Sequence, residues 1–277
     1  MSIYTSEYGG RLVRERYEQQ LAAWPVPVQR HTLDTSFGRT FVLSCGDDTA
    51  PPVVLLHGSG ANTSVWLDGI DLLAAGHRVV LLDLLGEPGL SDPVRLDLTT
   101  GDTADWLGEC LDSLRVGPAA FAGLSLGAWT AADFAVRRPE RVERLALLCP
   151  AGIGRQTIGK VAPAFLLNLL GARGRRRSAE IVTGLDAREH PEVFAEISRT
   201  FEHFRPRTER FPVFDDETLR SLTMPVLAVL GGRDRVFDPV ETERRLHALV
   251  RDVRVHVVPT AGHALLGQMP RIADFLR

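Results

Sequence analysis

The chain has 277 residues, 44% hydrophobic and 24% charged, with a formal net charge of −3. That length suits one large domain, or a core with a small insertion, and the charge gives no reason to expect nucleic acid as a partner. No run approaches the roughly 18 apolar residues of a membrane span, and Met1 to Gly10 lacks the apolar stretch of a secretion signal, so no membrane partner and a cytoplasmic address are expected.

Val13, Tyr17, Leu21 and Trp24 recur at helical spacing, which predicts an amphipathic helix over 7–24 that stops at Trp24-Pro25. Thr32 to Ser44 reads as a hairpin turning at Phe37-Gly38-Arg39. Val53 to Leu56 and Arg78 to Leu82 are short apolar runs suited to a sheet covered on both faces. Trp106, Leu107, Cys110, Leu111 and Leu114 fit a helix with Asp102 or Thr103 near its cap. Strands are expected at 119–122, 145–148, 225–230 and 253–258, with a helix over 127–137. Alternating apolar strands and helices argue for an α/β fold with a mostly parallel, doubly wound sheet. Cys45, Cys110 and Cys149 are scattered without metal spacing, so neither a disulfide framework nor a metal site is expected.

The most informative stretch is Gly123-Leu124-Ser125-Leu126-Gly127, between the apolar run Ala119–Ala122 and the helix-like run Ala128–Val136. A strand that turns at once into a helix holds its central serine at an exposed, strained apex. The flanking glycines remove Cβ atoms that would clash in so sharp a bend. The amide of Leu126, at a helix N-terminus, is left facing any oxyanion formed at Ser125. Asp234 follows the strand 225–230 in Gly231-Gly232-Arg233-Asp234, and His263 follows the strand 253–258 in Thr260-Ala261-Gly262-His263. Both therefore fall at the same end of the sheet as Ser125. A serine is a poor nucleophile until an imidazole takes its proton, and a carboxylate fixes the imidazole tautomer. Asp238 is the nearest rival for the acid; Asp215 and Asp216 fall before the strand.

These motifs, G-L-S-L-G with an acid and a histidine following in that order, resemble the α/β-hydrolase superfamily, in a bacterial carboxylesterase-like branch. The resemblance covers 50–150 and 225–270 well and is poor between. It implies an α/β-hydrolase fold with a catalytic Ser125, Asp234 and His263. It also implies an oxyanion hole made by the amides of Leu126 and of Ser59, the residue after His57-Gly58. Gly60 is the weaker donor and a substrate-binding candidate. His57, at a strand end, reads as structural. In Asp83-Leu84-Leu85-Gly86-Glu87-Pro88-Gly89-Leu90-Ser91, one residue more than the family's D-x-x-G-x-G-x-S separates the glycines, and Asp83 is expected to orient loop backbone.

The expected organisation is a core of 1–150 and 223–277 with a cap, or lid, over 151–222. Ala162 to Leu170 is strongly apolar, Gly171 to Arg177 reads as a basic, flexible surface loop, and Val193, Phe194, Ile197, Phe201 and Phe204 recur at helical spacing. Phe194 and Phe201 are the cap's substrate-binding candidates. The resemblance implies a serine hydrolase of carboxylesterase type acting on a small molecule with no cofactor and no metal. The alternatives are C–C hydrolysis, cofactor-free peroxidation, acyl transfer, or ligand sensing without turnover, because fold does not fix function. Oligomeric state is left open.

Overall fold

Eight strands form one sheet: β1 (Val28–Thr35), β2 (Gly38–Cys45), β3 (Pro52–Leu56), β4 (Arg78–Leu82), β5 (Ala119–Leu124), β6 (Val142–Leu148), β7 (Val226–Gly231) and β8 (Val253–Val258). A computed structural model of the protein describes residues 2–167 and 170–277. The spatial order is β1-β2-β4-β3-β5-β6-β7-β8. The hairpin β1–β2 is antiparallel and pairs antiparallel to β4; every later pairing is parallel.

The reading as a doubly wound sheet follows from the strands themselves. In β3, Val54 and Leu56 point into one buried cluster with α3 (Asp102–Ser113) and α4 (Leu126–Arg137), through Trp106, Leu107, Trp129 and Phe134. Val53 and Leu55 point into the opposite cluster with α1 (Glu7–Ala22), α2 (Ile70–Ala74) and α10 (Met269–Leu276), through Tyr17, Leu21, Leu73 and Ile272. A strand covered on both faces reads as an unbroken apolar run, as β3, β4 and β7 do. The chain leaves β3 for β4 on one side and returns to β5 on the other. This reversal opens a crevice at the carboxyl ends of β3 and β5, where the loop after β3 meets the bend at Ser125.

Several boundaries differ from the sequence expectations. The β1–β2 hairpin begins earlier, at Val28, and closes with Thr35 opposite Gly38, so the turn is Ser36-Phe37. Helix α3 is capped by Gly101; Asp102 and Thr103 lie inside its first turn, and Thr100 Oγ1 accepts from the Asp102 amide. Between β6 and β7 lie α5 (Ile158–Leu167), α6 (Gly171–Thr183), α7 (Pro191–His203) and α8 (Asp216–Arg220). Within the apolar run Ala162–Leu170, positions 168–169 lie outside the described residues. The expected basic loop at Gly171–Arg177 is instead the first half of α6. Its glycine is a packing residue: a Cβ on Gly174 would lie 1.8 Å from the Leu167 carbonyl oxygen, so Gly174 is what lets α5 and α6 approach. Three of the four arginines there are paired with acids, Arg175 with Glu202 and both Arg176 and Arg177 with Glu180. Helix α9 (Pro239–Leu249) covers the sheet beside β7. Among the described residues no helix is long and apolar enough to cross a membrane. Cys45, Cys110 and Cys149 are buried and not disulfide-bonded.

Candidate active site

Ser125 is the residue between β5 and α4. Its backbone sits at φ 53° and ψ −107°, outside the regions that L-residues favour, and its side chain makes no capping bond to the helix. Packing holds this conformation. The Ser125 amide donates to the Leu148 carbonyl of β6 at 2.9 Å. A Cβ on Gly123 would lie 2.3 Å from the Gly127 carbonyl oxygen, and one on Gly127 would lie 2.1 Å from the Leu56 carbonyl oxygen. Only glycine at both positions lets the bend close against the end of β3. The serine hydroxyl is therefore presented at the crevice and not spent on the helix end.

His263 lies on the loop after β8 and Asp234 on the loop after β7. Ser125 Oγ and His263 Nε2 are 3.0 Å apart, and His263 Nδ1 and Asp234 Oδ2 are 2.8 Å apart. The other carboxylate oxygen of Asp234 accepts from the amides of Val236 at 2.7 Å and Phe237 at 3.2 Å. Burial alone pushes the Asp234 carboxyl up, but the charge and hydrogen bond of His263 and those two amides outweigh it and hold it below the usual carboxylate range. A carboxylate so placed favours the tautomer with the proton on Nδ1, leaving Nε2 to accept from the serine hydroxyl.

The rival acid is committed elsewhere. Asp238 caps α9 by accepting from the amides of Val240 and Glu241, and it pairs with Arg155 at 3.2 Å. Asp215 caps α8, and Asp216 pairs with Arg245.

The loop after β3 packs on the bend: a Cβ on Gly58 would lie 3.5 Å from Ser125 Cβ. Leu126 opens α4, so its amide has no acceptor within the helix. The Gly60 amide is not available as a donor, since it bonds Glu87 Oε2 at 2.8 Å. Ser59 Oγ donates to the same oxygen at 3.0 Å, so Glu87 holds two adjacent residues of this loop. His57 is fully buried; it faces the Gly58 carbonyl through Nδ1 and accepts from the Leu84 amide through Nε2, and burial pushes it down to about 4. It is a neutral structural group. Asp83 accepts from the Thr63 and Leu90 amides and from the Tyr17 hydroxyl, and so orders two loops as expected.

A model of the alpha/beta hydrolase fold family matches residues 51–269. The chain belongs to the α/β-hydrolase family. Over 274 residues, 95% of this chain and 92% of the relative, it is 30% identical to carboxylesterase YbfK of Bacillus subtilis (strain 168). The crystal structure of naproxen esterase (carboxylesterase NP) from Bacillus subtilis superposes with a TM-score of 0.83 at 29% identity, covering 98% of this chain and 99% of that one. A 2-hydroxy-6-oxononadienedioate/2-hydroxy-6-oxononatrienedioate hydrolase of Paraburkholderia xenovorans (strain LB400) is 29% identical over 77% of this chain and 81% of its own length.

In this α/β-hydrolase the two cap candidates part company. Phe201, 43% exposed, lays its ring against Gly60 beside Ser59. Phe194 is 4% exposed and packs with Leu185 and Ala187, with Ala264 against them, so its role is to fill the interior of the helical segment and not to meet a ligand. That interior abuts the histidine loop. The Ala264 amide donates to the Thr183 carbonyl at 2.9 Å, and a Cβ on Gly184 would lie 2.5 Å from the Gly262 Cα.

Two neighbours of the site carried little sequence signal. Cys149 Sγ, Asp234 and His263 lie with ligand atoms within 4.8 Å of one another, the grouping among the described residues that could hold an ion. Burial pushes the Cys149 thiol well above its ordinary value, and His263 Nδ1 and Asp234 Oδ2 are already bonded to each other. The donor set suits an acid–base pair better than a metal. Glu87 lies in the loop whose glycine spacing is one residue too long, and that irregularity was the available clue.

Proposed function

We propose that the protein is a serine hydrolase of carboxylesterase type. The observation that carries the reading is the hydrogen-bonded chain Ser125–His263–Asp234, at 3.0 Å and 2.8 Å, with its serine on a bend at φ 53°. His263 Nε2 takes the Ser125 proton as Oγ attacks the ester carbonyl carbon, and Asp234 stays ionised and stabilises the imidazolium. The amides of Ser59 and Leu126 hold the negative oxygen of the tetrahedral intermediate. Each such donor is typically worth about 10²–10³ in rate. The intermediate collapses, His263 returns the proton to the leaving alcohol, and the acyl group stays on Oγ. Water activated by His263 then releases the acid and restores the serine.

The two carboxylesterases of Bacillus subtilis support an ester as the substrate class. We assign the helices of 151–222 to a cap over Ser125, with Phe201 on its substrate side. The relative that acts on a 2-hydroxy-6-oxo dienedioate favours a second reading, C–C bond hydrolysis by the same three residues.

The test is turnover of short p-nitrophenyl esters together with covalent labelling by a fluorophosphonate. Turnover that survives exhaustive EDTA, with label on Ser125, is expected. Labelling without ester turnover would favour the C–C reading or a sensor. Activity abolished by EDTA and restored by zinc would overturn the serine mechanism.

A further inference from the structure

We propose that Glu87 is a positioning residue of the oxyanion loop: its carboxylate clamps Ser59 and Gly60 so that the Ser59 amide faces the oxygen formed at Ser125. The inference rests on the serine-hydrolase reading above. Glu87 is completely buried, in the loop after β4. One of its oxygens takes two donors from adjacent residues, the Gly60 amide at 2.8 Å and the Ser59 hydroxyl at 3.0 Å. Together they restrain the Ser59 side chain and the peptide that follows it. Gly60 is at φ +75°, a left-handed conformation that an unrestrained loop visits only as one of several. Catalysis by an amide donor depends on its being aimed before the reaction, since a donor that must first reorient loses most of its benefit. Because Glu87 takes up the Gly60 amide, that amide is withdrawn from the oxyanion.

A buried carboxylate next to a developing oxyanion would work against that oxyanion if nothing balanced it. Arg207 provides the balance. Its Nε lies 3.3 Å from the other Glu87 oxygen, with 5% of its side chain exposed. Arg207 belongs to the stretch after α7, the helix that carries Phe201, and its guanidinium also bonds the Leu96 carbonyl and Glu209. A single carboxylate thus ties the oxyanion loop both to the loop after β4 and to the exit of α7. Removing Arg207 alone leaves the Glu87 charge without this partner, whereas neutralising Glu87 as well removes that charge.

Four variants test this: Glu87→Ala, Glu87→Gln, Arg207→Met, and Arg207→Met combined with Glu87→Gln. All are assayed well below their melting temperatures, for ester kcat and KM and for the rate of fluorophosphonate labelling. Glu87→Ala is expected to lose on the order of 10²-fold in both kcat and labelling rate, the effect of losing one oxyanion donor, with KM within about threefold. Glu87→Gln keeps an acceptor for both donors and is expected to recover most of that loss. Arg207→Met should be slower than wild type, and adding Glu87→Gln should make it faster again. A folded Glu87→Ala protein with wild-type kcat overturns the proposal. So does a Glu87→Gln protein as impaired as Glu87→Ala, or a double variant no faster than Arg207→Met. If Glu87→Ala does not fold, the glutamine and double variants still decide. A residue that merely packs would lower the melting temperature without separating kcat from KM. Wild-type protein that takes no label at Ser125 overturns the serine-hydrolase reading and this inference with it; labelled wild type with unaffected variants overturns this inference alone.

Discussion

The ring of Phe201 lies directly on Gly60. A Cβ built on that glycine would come within 2.5 Å of the ring's Cζ atom. The contact joins α7 to the loop after β3, and Phe201 is still 43% exposed, so part of its ring is open to solvent beside that loop. Phe201→Ala should therefore change KM and the preference among acyl lengths, by a few-fold to tenfold, the scale expected of an apolar pocket wall. The rate at which a small phosphonate labels Ser125 should stay within about threefold of wild type, because Phe201 makes no hydrogen bond to Ser125, His263 or Asp234 and a small phosphonate has no acyl chain for an apolar wall to select. Unchanged selectivity across a series of p-nitrophenyl esters would reduce Phe201 to packing.

The three hydrogen-bonded residues should behave as one unit. Ser125→Ala and His263→Ala are each expected to lose on the order of 10⁴–10⁶ in kcat, and the double variant little more. Asp234→Ala should lose less, since the imidazole remains in place and only its orientation and charge balance suffer. Steady-state kinetics of the four proteins checks this. Multiplicative losses in the double variant would mean that the two residues act in separate steps.

His57 gives a signed pH prediction. It is pushed from 6.5 down to about 4 in the folded chain. Between those values the unfolded chain binds a proton that the folded chain refuses, so this residue's contribution to stability falls as pH drops from 6.5 toward 4. The full loss is roughly 3 kcal/mol at about 1.4 kcal/mol per pKa unit. Asp83, raised by burial to about 6, acts the other way: the folded chain binds its proton first, and stability rises as pH falls from 6 to 3.8. His57→Gln keeps an acceptor for the Leu84 amide and removes only the first effect. Denaturant melts from pH 7 to pH 4 should then show the variant gaining stability relative to wild type as pH falls. Parallel curves would contradict this.

Gly174 sets the distance between α5 and α6. Its missing Cβ faces the Leu167 carbonyl oxygen at 1.8 Å, so Gly174→Ala must push the two helices apart. A loss of about 1–3 kcal/mol is expected from such overpacking. Hydrogen exchange should locate the change: amides of α5 and α6 should open faster, while those of β3 and β5 keep their protection. Uniform acceleration across the chain would mean that the helical segment and the sheet unfold together.

Much of the fold is legible in local sequence. The strands at Pro52–Leu56, Arg78–Leu82 and Val253–Val258 and the helix ending at Ala22 lie where apolar runs and helical spacing put them. Ser125, Asp234 and His263 share one signal, a turn just past a strand, and the parallel sheet gathers the carboxyl ends of those strands on one edge. The basic stretch Gly171–Arg177 went the other way. Glycine and repeated arginine resemble a solvated loop, but pairing with Glu180 and Glu202 and a close helix–helix approach favour a helix there. Local propensity does not register partners that lie on the next turn or on another helix.

By itself, the sequence determined the doubly wound sheet and the order of serine, acid and histidine, because each follows from periodicity or from one residue's place beside one strand. Only the tertiary structure showed that, of two aspartates following the same strand, Asp234 bonds the His263 imidazole and Asp238 caps α9. It also decided that Gly60 gives its amide to Glu87, and that Phe201 lies half-exposed against Gly60 while Phe194, on the same helix, is buried. These are contacts between residues far apart in the chain, as with the 138 positions separating Ser125 from His263. Such distances depend on how helices and loops pack over the sheet, and that packing is a sum over the whole core which no local pattern records.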